Sequence, residues 1–174
     1  MSSSDENDPN PPCEFQDNLN QLRQTYLLGG LPLEVLKVFA YLCTREKYQR
    51  GDYLFRQGED DGNAFCIVSG RARLELSAGE ASHALREIGP GQFLGGMTLL
   101  GPTERLFSLA AVDDTVSLVL SREKFSKTMQ QFPEQMPRIF KAVVGAVNEW
   151  ERLFLEKFDP GCGGCLPHLG VSLL

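Results

Sequence analysis

The chain has 174 residues, 42% of them hydrophobic and 23% charged, the length and composition of one soluble globular domain. A formal net charge of -6 repels phosphate backbones and argues against direct nucleic-acid binding, and no apolar run is long enough to span a bilayer, so no membrane partner is expected. The N-terminus lacks a basic segment followed by an apolar one, and five cysteines, an odd number, suit a reducing compartment, which makes the cytoplasm the expected location.

Residues 1–14 are rich in Ser, Asp, Asn and Pro with little to bury, and read as a disordered leader ahead of one domain over 15–158. Leu19, Leu22 and Tyr26 recur at three and four residues and predict a helix that Gly29-Gly30 ends. Pro32 suits the first turn of a second helix, with Leu33, Leu36, Val38, Phe39 and Leu42 as its apolar face and an end near Thr44. From Tyr48 to Leu120 short apolar or alternating runs are separated by turns at Gly51-Asp52, Gly58, Gly62, Gly70, Gly79 and Gly89-Pro90-Gly91, the pattern of many short strands. Residues 71–76 alternate, whereas 65–68 and 116–120 are apolar throughout and predict strands buried on both faces. Together these runs imply a closed or double-layered β core, hence a mainly β fold with flanking α elements.

Ser121 is placed to cap a third helix, which Phe132-Pro133 interrupts. A long last helix follows over about 137–158, with Ile139, Phe140, Val143, Val144, Val147, Trp150, Leu153 and Phe154 at helical spacing. That stripe is expected to serve partly as core and partly as the seam of a homodimer. Residues 159–174 are glycine-rich and read as a flexible tail.

Catalytic templates are missing: there is no Gly-x-Ser-x-Gly, no Gly-Lys-Ser/Thr phosphate loop and no His-Glu-x-x-His, and His83 sits in a polar loop, so no enzyme is expected. Gly89, Gly91 and Gly95 are one residue out of step with Gly-x-Gly-x-x-Gly and open no long helix. Cys162, Cys165 and His168 offer three weak metal ligands where a closed zinc site needs four, so neither metal nor cofactor is expected. The informative stretch is 91–111. Gly95 and Gly96 permit close backbone approach, a short helical turn over Met97 to Leu100 would aim N–H groups at an anion, and Arg105 supplies a planar cation for it.

The order of these features resembles the cyclic nucleotide-binding domain family, the sensor of catabolite activator proteins and kinase regulatory subunits. The signposts are Arg50-Gly51-Asp52-Tyr53-Leu54-Phe55, Gln57-Gly58-Glu59, Phe65-Cys66-Ile67-Val68-Ser69-Gly70, Ile88-Gly89-Pro90-Gly91 and Leu118-Val119-Leu120-Ser121. The resemblance implies a double-stranded β-helix, or jelly roll, with N-terminal helices and a long C-terminal helix, and a phosphate-binding cassette for cyclic AMP or cyclic GMP. The ligand-binding positions it implies are Gly95, Gly96, Met97, Thr98, Arg105, Leu106 and Phe107. The cassette is degenerate: Gly96 stands where the family carries a ribose-binding Glu, while Leu106 and Phe107 replace two small residues after the phosphate-binding Arg and would crowd the phosphate or turn into the core. Loss of the carboxylate removes a charged hydrogen bond worth about 1.5–3 kcal/mol. The expected function is therefore weak sensing of a cyclic nucleotide or related anion with output through the last helix. The alternative is a ligand-free interaction or dimerisation module with an unidentified protein partner. Residues 159–174 are too few and too glycine-rich for a helix-turn-helix.

Overall fold

The computed structural model describes residues 11–79 and 81–156. Helix α1 (Pro11–Arg23) begins inside the segment expected as leader. The remainder of that segment and the tail expected at 159–174, with Cys162, Cys165 and His168, lie outside the described residues. The periodicity of Leu19, Leu22 and Tyr26 carries one helix through Tyr26, yet the chain leaves the helix at Arg23. Thr25 supplies the reason: its Oγ1 donates to the Leu22 carbonyl at 2.8 Å and accepts from the Leu28 N–H at 3.2 Å, offering the backbone a tight turn in place of another helical one. Gly29 closes this turn, because a Cβ there would lie 2.5 Å from the Arg23 carbonyl oxygen. Helix α2 (Leu33–Leu42) follows with Pro32 as its N-cap, burying Val35, Leu36, Phe39 and Ala40.

Eight strands come next: β1 (Thr44–Tyr48), β2 (Tyr53–Phe55), β3 (Asn63–Ser69), β4 (Ala72–Ala78), β5 (Ala81–Ile88), β6 (Phe93–Leu94), β7 (Ser108–Ala111) and β8 (Thr115–Ser121). They form two antiparallel sheets in the orders β1-β8-β3-β6 and β2-β7-β4-β5, the jelly roll the sequence implies. As the unbroken apolar runs predict, β3 and β8 are buried on both faces: Ala64 to Ile67 and Ser117 to Leu120 are buried in succession. One face packs on the helices, where Cys66, Leu118 and Leu120 meet Leu22, Phe39 and Phe125. The other faces the second sheet, where Phe65, Ile67 and Val119 meet Phe55, Leu74 and Leu109. Gly70 makes the β3–β4 turn with φ +79; a Cβ there would strike the Asp114 carbonyl oxygen and come within 2.7 Å of the Thr115 Cα.

Helix α3 (Arg122–Gln131) starts at the expected cap, with Ser121 Oγ accepting from the Lys124 N–H at 3.3 Å. Phe132-Pro133 then breaks the helix and α4 (Met136–Glu156) begins. Ile139 is fully buried and Ala142 and Val143 pack on the helical core, whereas Phe140, Val144, Trp150, Leu153 and Leu155 are exposed. Among the described residues no helix is long and apolar enough to cross a membrane.

Candidate functional site

The cassette lies between β6 and β7. Gly95 leaves β6 with φ +76 and Gly96–Leu99 make one 3₁₀ turn. Gly95 is required here twice over, since its backbone is left-handed and a Cβ would lie 2.5 Å from Nη1 of Arg105 and 2.7 Å from the Asn63 carbonyl oxygen. That carbonyl is the hub of the site. It accepts from Thr98 Oγ1 at 2.8 Å and from Arg105 Nη2 at 2.5 Å, so the structure gathers Gly95, Thr98 and Arg105 around one oxygen at the start of β3. Thr98 Oγ1 also lies 2.7 Å from the Gly95 carbonyl oxygen, and the Thr98 N–H donates to the same carbonyl at 3.0 Å, so this N–H is already used within the turn.

Arg105 is 6% exposed. Its Nη2 pairs with Asp61 Oδ1 at 2.7 Å and its guanidinium carbon stacks over the Phe55 ring, 4.0 Å from the centroid. Its main chain is clamped as well, the N–H donating to the Glu59 carbonyl and the carbonyl accepting from the Gly58 N–H, each at 2.8 Å. The loop between β2 and β3 thus grips Arg105 from both sides. Arg105 Nε is left without a hydrogen-bond partner although it is buried.

The remaining expected positions disperse. Gly96 is buried, but its missing side chain would head toward Tyr26 and Phe93. Met97 is half exposed. Leu106 neither crowds the site nor enters the core but is 77% exposed, while Phe107 packs into the inter-sheet core with its ring 6.0 Å from that of Phe55.

The spacing pattern does not single out Asp60, Asp61, Asn63 or Arg122. Arg122, the first residue of α3, donates from Nε to the Thr98 carbonyl at 2.5 Å and from Nη1 to Asp60 at 3.1 Å, and its own N–H donates to the Gly62 carbonyl at 2.6 Å. The Arg122 hydrogen bond holds the Asp60 carboxyl below its ordinary range, and Asp60 in turn raises the guanidinium. Adjacent carboxylates in one loop therefore hold two arginines, one inside the roll and one at the head of α3. The acidic pair before Gly62 was the available signal, since a buried arginine requires a carboxylate somewhere. Behind Arg122, Leu99 and Leu100 of the cassette face Phe125, Met129, Pro133 and Met136 across an apolar groove of about 320 Å³, which reaches the first residue of α4.

Among the described residues no three His, Cys, Asp or Glu side chains converge as a metal site would require. Burial pushes the Cys43 and Cys66 thiols up to about 12 and about 11, so both stay protonated near neutral pH.

Two antiparallel sheets carrying an arginine-bearing glycine cassette, with helices packed on one side, define a jelly-roll domain of a regulatory kind. The chain belongs to the cyclic nucleotide-binding domain family, whose sequence model, described as "Cyclic nucleotide-binding domain", matches residues 45–132. It is 34% identical over 108 residues to the cyclic AMP receptor protein of Thermus thermophilus, covering 62% of this chain and 50% of that protein. It is 26% identical over 132 residues to human cGMP-dependent protein kinase 2, covering 74% of this chain and 17% of the kinase. Among solved structures it is similar to a cyclic nucleotide-binding-like protein from Brucella abortus, with 30% identity, a TM-score of 0.62 and coverage of 66% of this chain and 98% of that one. The chain thus spans half or less of the two full-length relatives.

Proposed function

We propose that this module binds a cyclic nucleotide, cyclic AMP or cyclic GMP, weakly through its phosphate at Arg105, and passes the change through α4 to a second copy or another protein. The observation that carries this reading is the unpartnered Nε of a buried guanidinium. A singly charged phosphate diester matches the charge of the Asp61 carboxylate, and its two free oxygens can engage Nε together with a terminal nitrogen, which a single Asp61 oxygen on Nη2 does not. Asp61 is then an internal competitor for the anion. Competition, together with a glycine at 96 and Phe107 against Phe55, accounts for weak binding. The Arg122 contacts and the Leu99–Leu100 groove supply the physical connection from the cassette to α3 and α4. A cytoplasmic setting belongs to the same reading, since both nucleotides are intracellular signals and the buried thiols need no oxidising compartment.

Calorimetric titration with both nucleotides tests it. Asp61→Asn should tighten binding at least tenfold, about 1.4 kcal/mol, and Arg105→Ala should abolish it. If neither wild type nor a folded Asp61→Asn variant binds either nucleotide, the ligand-free interaction module becomes the function, a reading that the filling of the roll by Phe55, Phe65 and Phe107 favours.

A further inference from the structure

We propose that Tyr26 is a positioning residue for the anion site, bracing the Gly95-Gly96 step against Arg105, and that the glycine at 96 is what admits it. The proposal rests on Arg105 as the anion-binding group. Two side chains close on this one dipeptide from different directions. On Gly95 the guanidinium lies where a Cβ would stand 2.5 Å from Nη1; on Gly96 a Cβ would stand 2.5 Å from the Tyr26 hydroxyl oxygen and 2.9 Å from a ring carbon of Phe93. Gly96 has no left-handed φ, so its backbone tolerates a side chain and the nearest obstacles are Tyr26 and Phe93.

Tyr26 is well anchored for this task. It rides on the turn that Thr25 and Gly29 fix, between Thr25 and the fully buried Leu27 and Leu28, and its ring meets Phe93 of β6 edge to face at 5.8 Å. The ring is 45% exposed, which separates its role from that of a core residue. Burial of its inner part pushes the phenol pKa up, so the group that meets the cassette backbone is neutral across the physiological range. A carboxylate-bearing side chain at 96 and Tyr26 in this position exclude each other. The cassette therefore exchanges a side chain of its own for one delivered by the N-terminal turn, so that the Gly95-Gly96 step beside Arg105 is braced from outside the cassette.

The test is a double-mutant cycle on melting temperature, read without ligand, together with amide hydrogen exchange. Gly96→Ala should lower the melting temperature by about 5 °C in the wild-type background and by less than half of that in Tyr26→Ala, where the hydroxyl is gone and Phe93 is free to give way. Equal shifts in the two backgrounds overturn the proposal. If Gly96→Ala does not fold in the wild-type background, exchange decides: amides over 95–100 should exchange about tenfold faster in Tyr26→Ala and be restored by Tyr26→Phe, which keeps the ring on Phe93. Unchanged exchange in Tyr26→Ala overturns the proposal equally. Because neither readout needs a nucleotide, coupling without binding would leave the brace standing and remove the nucleotide reading, while binding with additive shifts would do the reverse.

Discussion

At the scale of residues, the β2–β3 loop works as a pair of adjacent carboxylates with different duties. Asp61 holds the buried Arg105, and Asp60 ties Arg122 to the cassette side of the loop. The Asp60 carboxyl is depressed below its ordinary value, first by the Arg122 hydrogen bond. Below the folded-state pKa both folded and unfolded chains carry a protonated Asp60, and above the unfolded value of about 3.9 only the folded chain gains from the charge. Its contribution is therefore present near neutrality and lost as pH falls through the depressed value. The melting-temperature gap between wild type and Asp60→Asn should be constant above about pH 5 and close as pH falls through the depressed value; a gap that persists at the acid end would show that the side chain acts by packing. Arg105 was legible in the sequence because the glycines before it and the order of turns locate it. Asp61 and Tyr26 were not, since their roles exist only after the chain has folded back. Tyr26 was also misplaced by its own periodicity, which Thr25 overrides with one hydroxyl.

At the scale of elements, the cap of α3 and the strand interiors were the legible parts. Ser121 reads as a cap in the sequence and acts as one, so Ser121→Ala should cost about 1 kcal/mol and lower the melting temperature by about 2–4 °C. Calorimetry checks it, and no change would mean that the contacts of Arg122 fix the head of α3 without help. The continuous apolar runs announced that β3 and β8 would be buried on both faces because a strand between two hydrophobic layers has no polar side to show. The division of α4 was less legible. Its apolar residues span a wide arc, yet Ile139 is fully buried and Val143 packs on the core while Phe140 and Val144, on the neighbouring flank, are 60% and 57% exposed. Sequence spacing fixes where the apolar arc of a helix lies and leaves open how much of that arc a neighbour covers.

At the scale of the whole molecule, the exposed end of α4 is the surface on which a second copy is expected to pack. Trp150 and Leu153 are exposed on one side of that end, beside the half-buried Val147 and Phe154. Two copies packed along it should scatter light as about twice the 19.3 kDa chain at micromolar concentration, and Trp150→Glu should return the monomer. A wild-type monomer would remove the seam and leave α4 to a different protein.

Trp150 has a second consequence. It is the one tryptophan in the sequence, and it sits more than half exposed on α4 with its ring 5.8 Å from that of Phe154, far along the helix from the buried Ile139. The roll is therefore dark when indole alone is excited, and every photon the chain then emits comes from α4. Emission colour follows the wetness of that single ring, so a titrant that reaches Arg105 but leaves the helix undisturbed produces no spectral change, and one that shifts the helix does. For the proposed path from Arg105 to α4, the chain carries its own optical gauge, with no dye attached and no tryptophan background from the cassette.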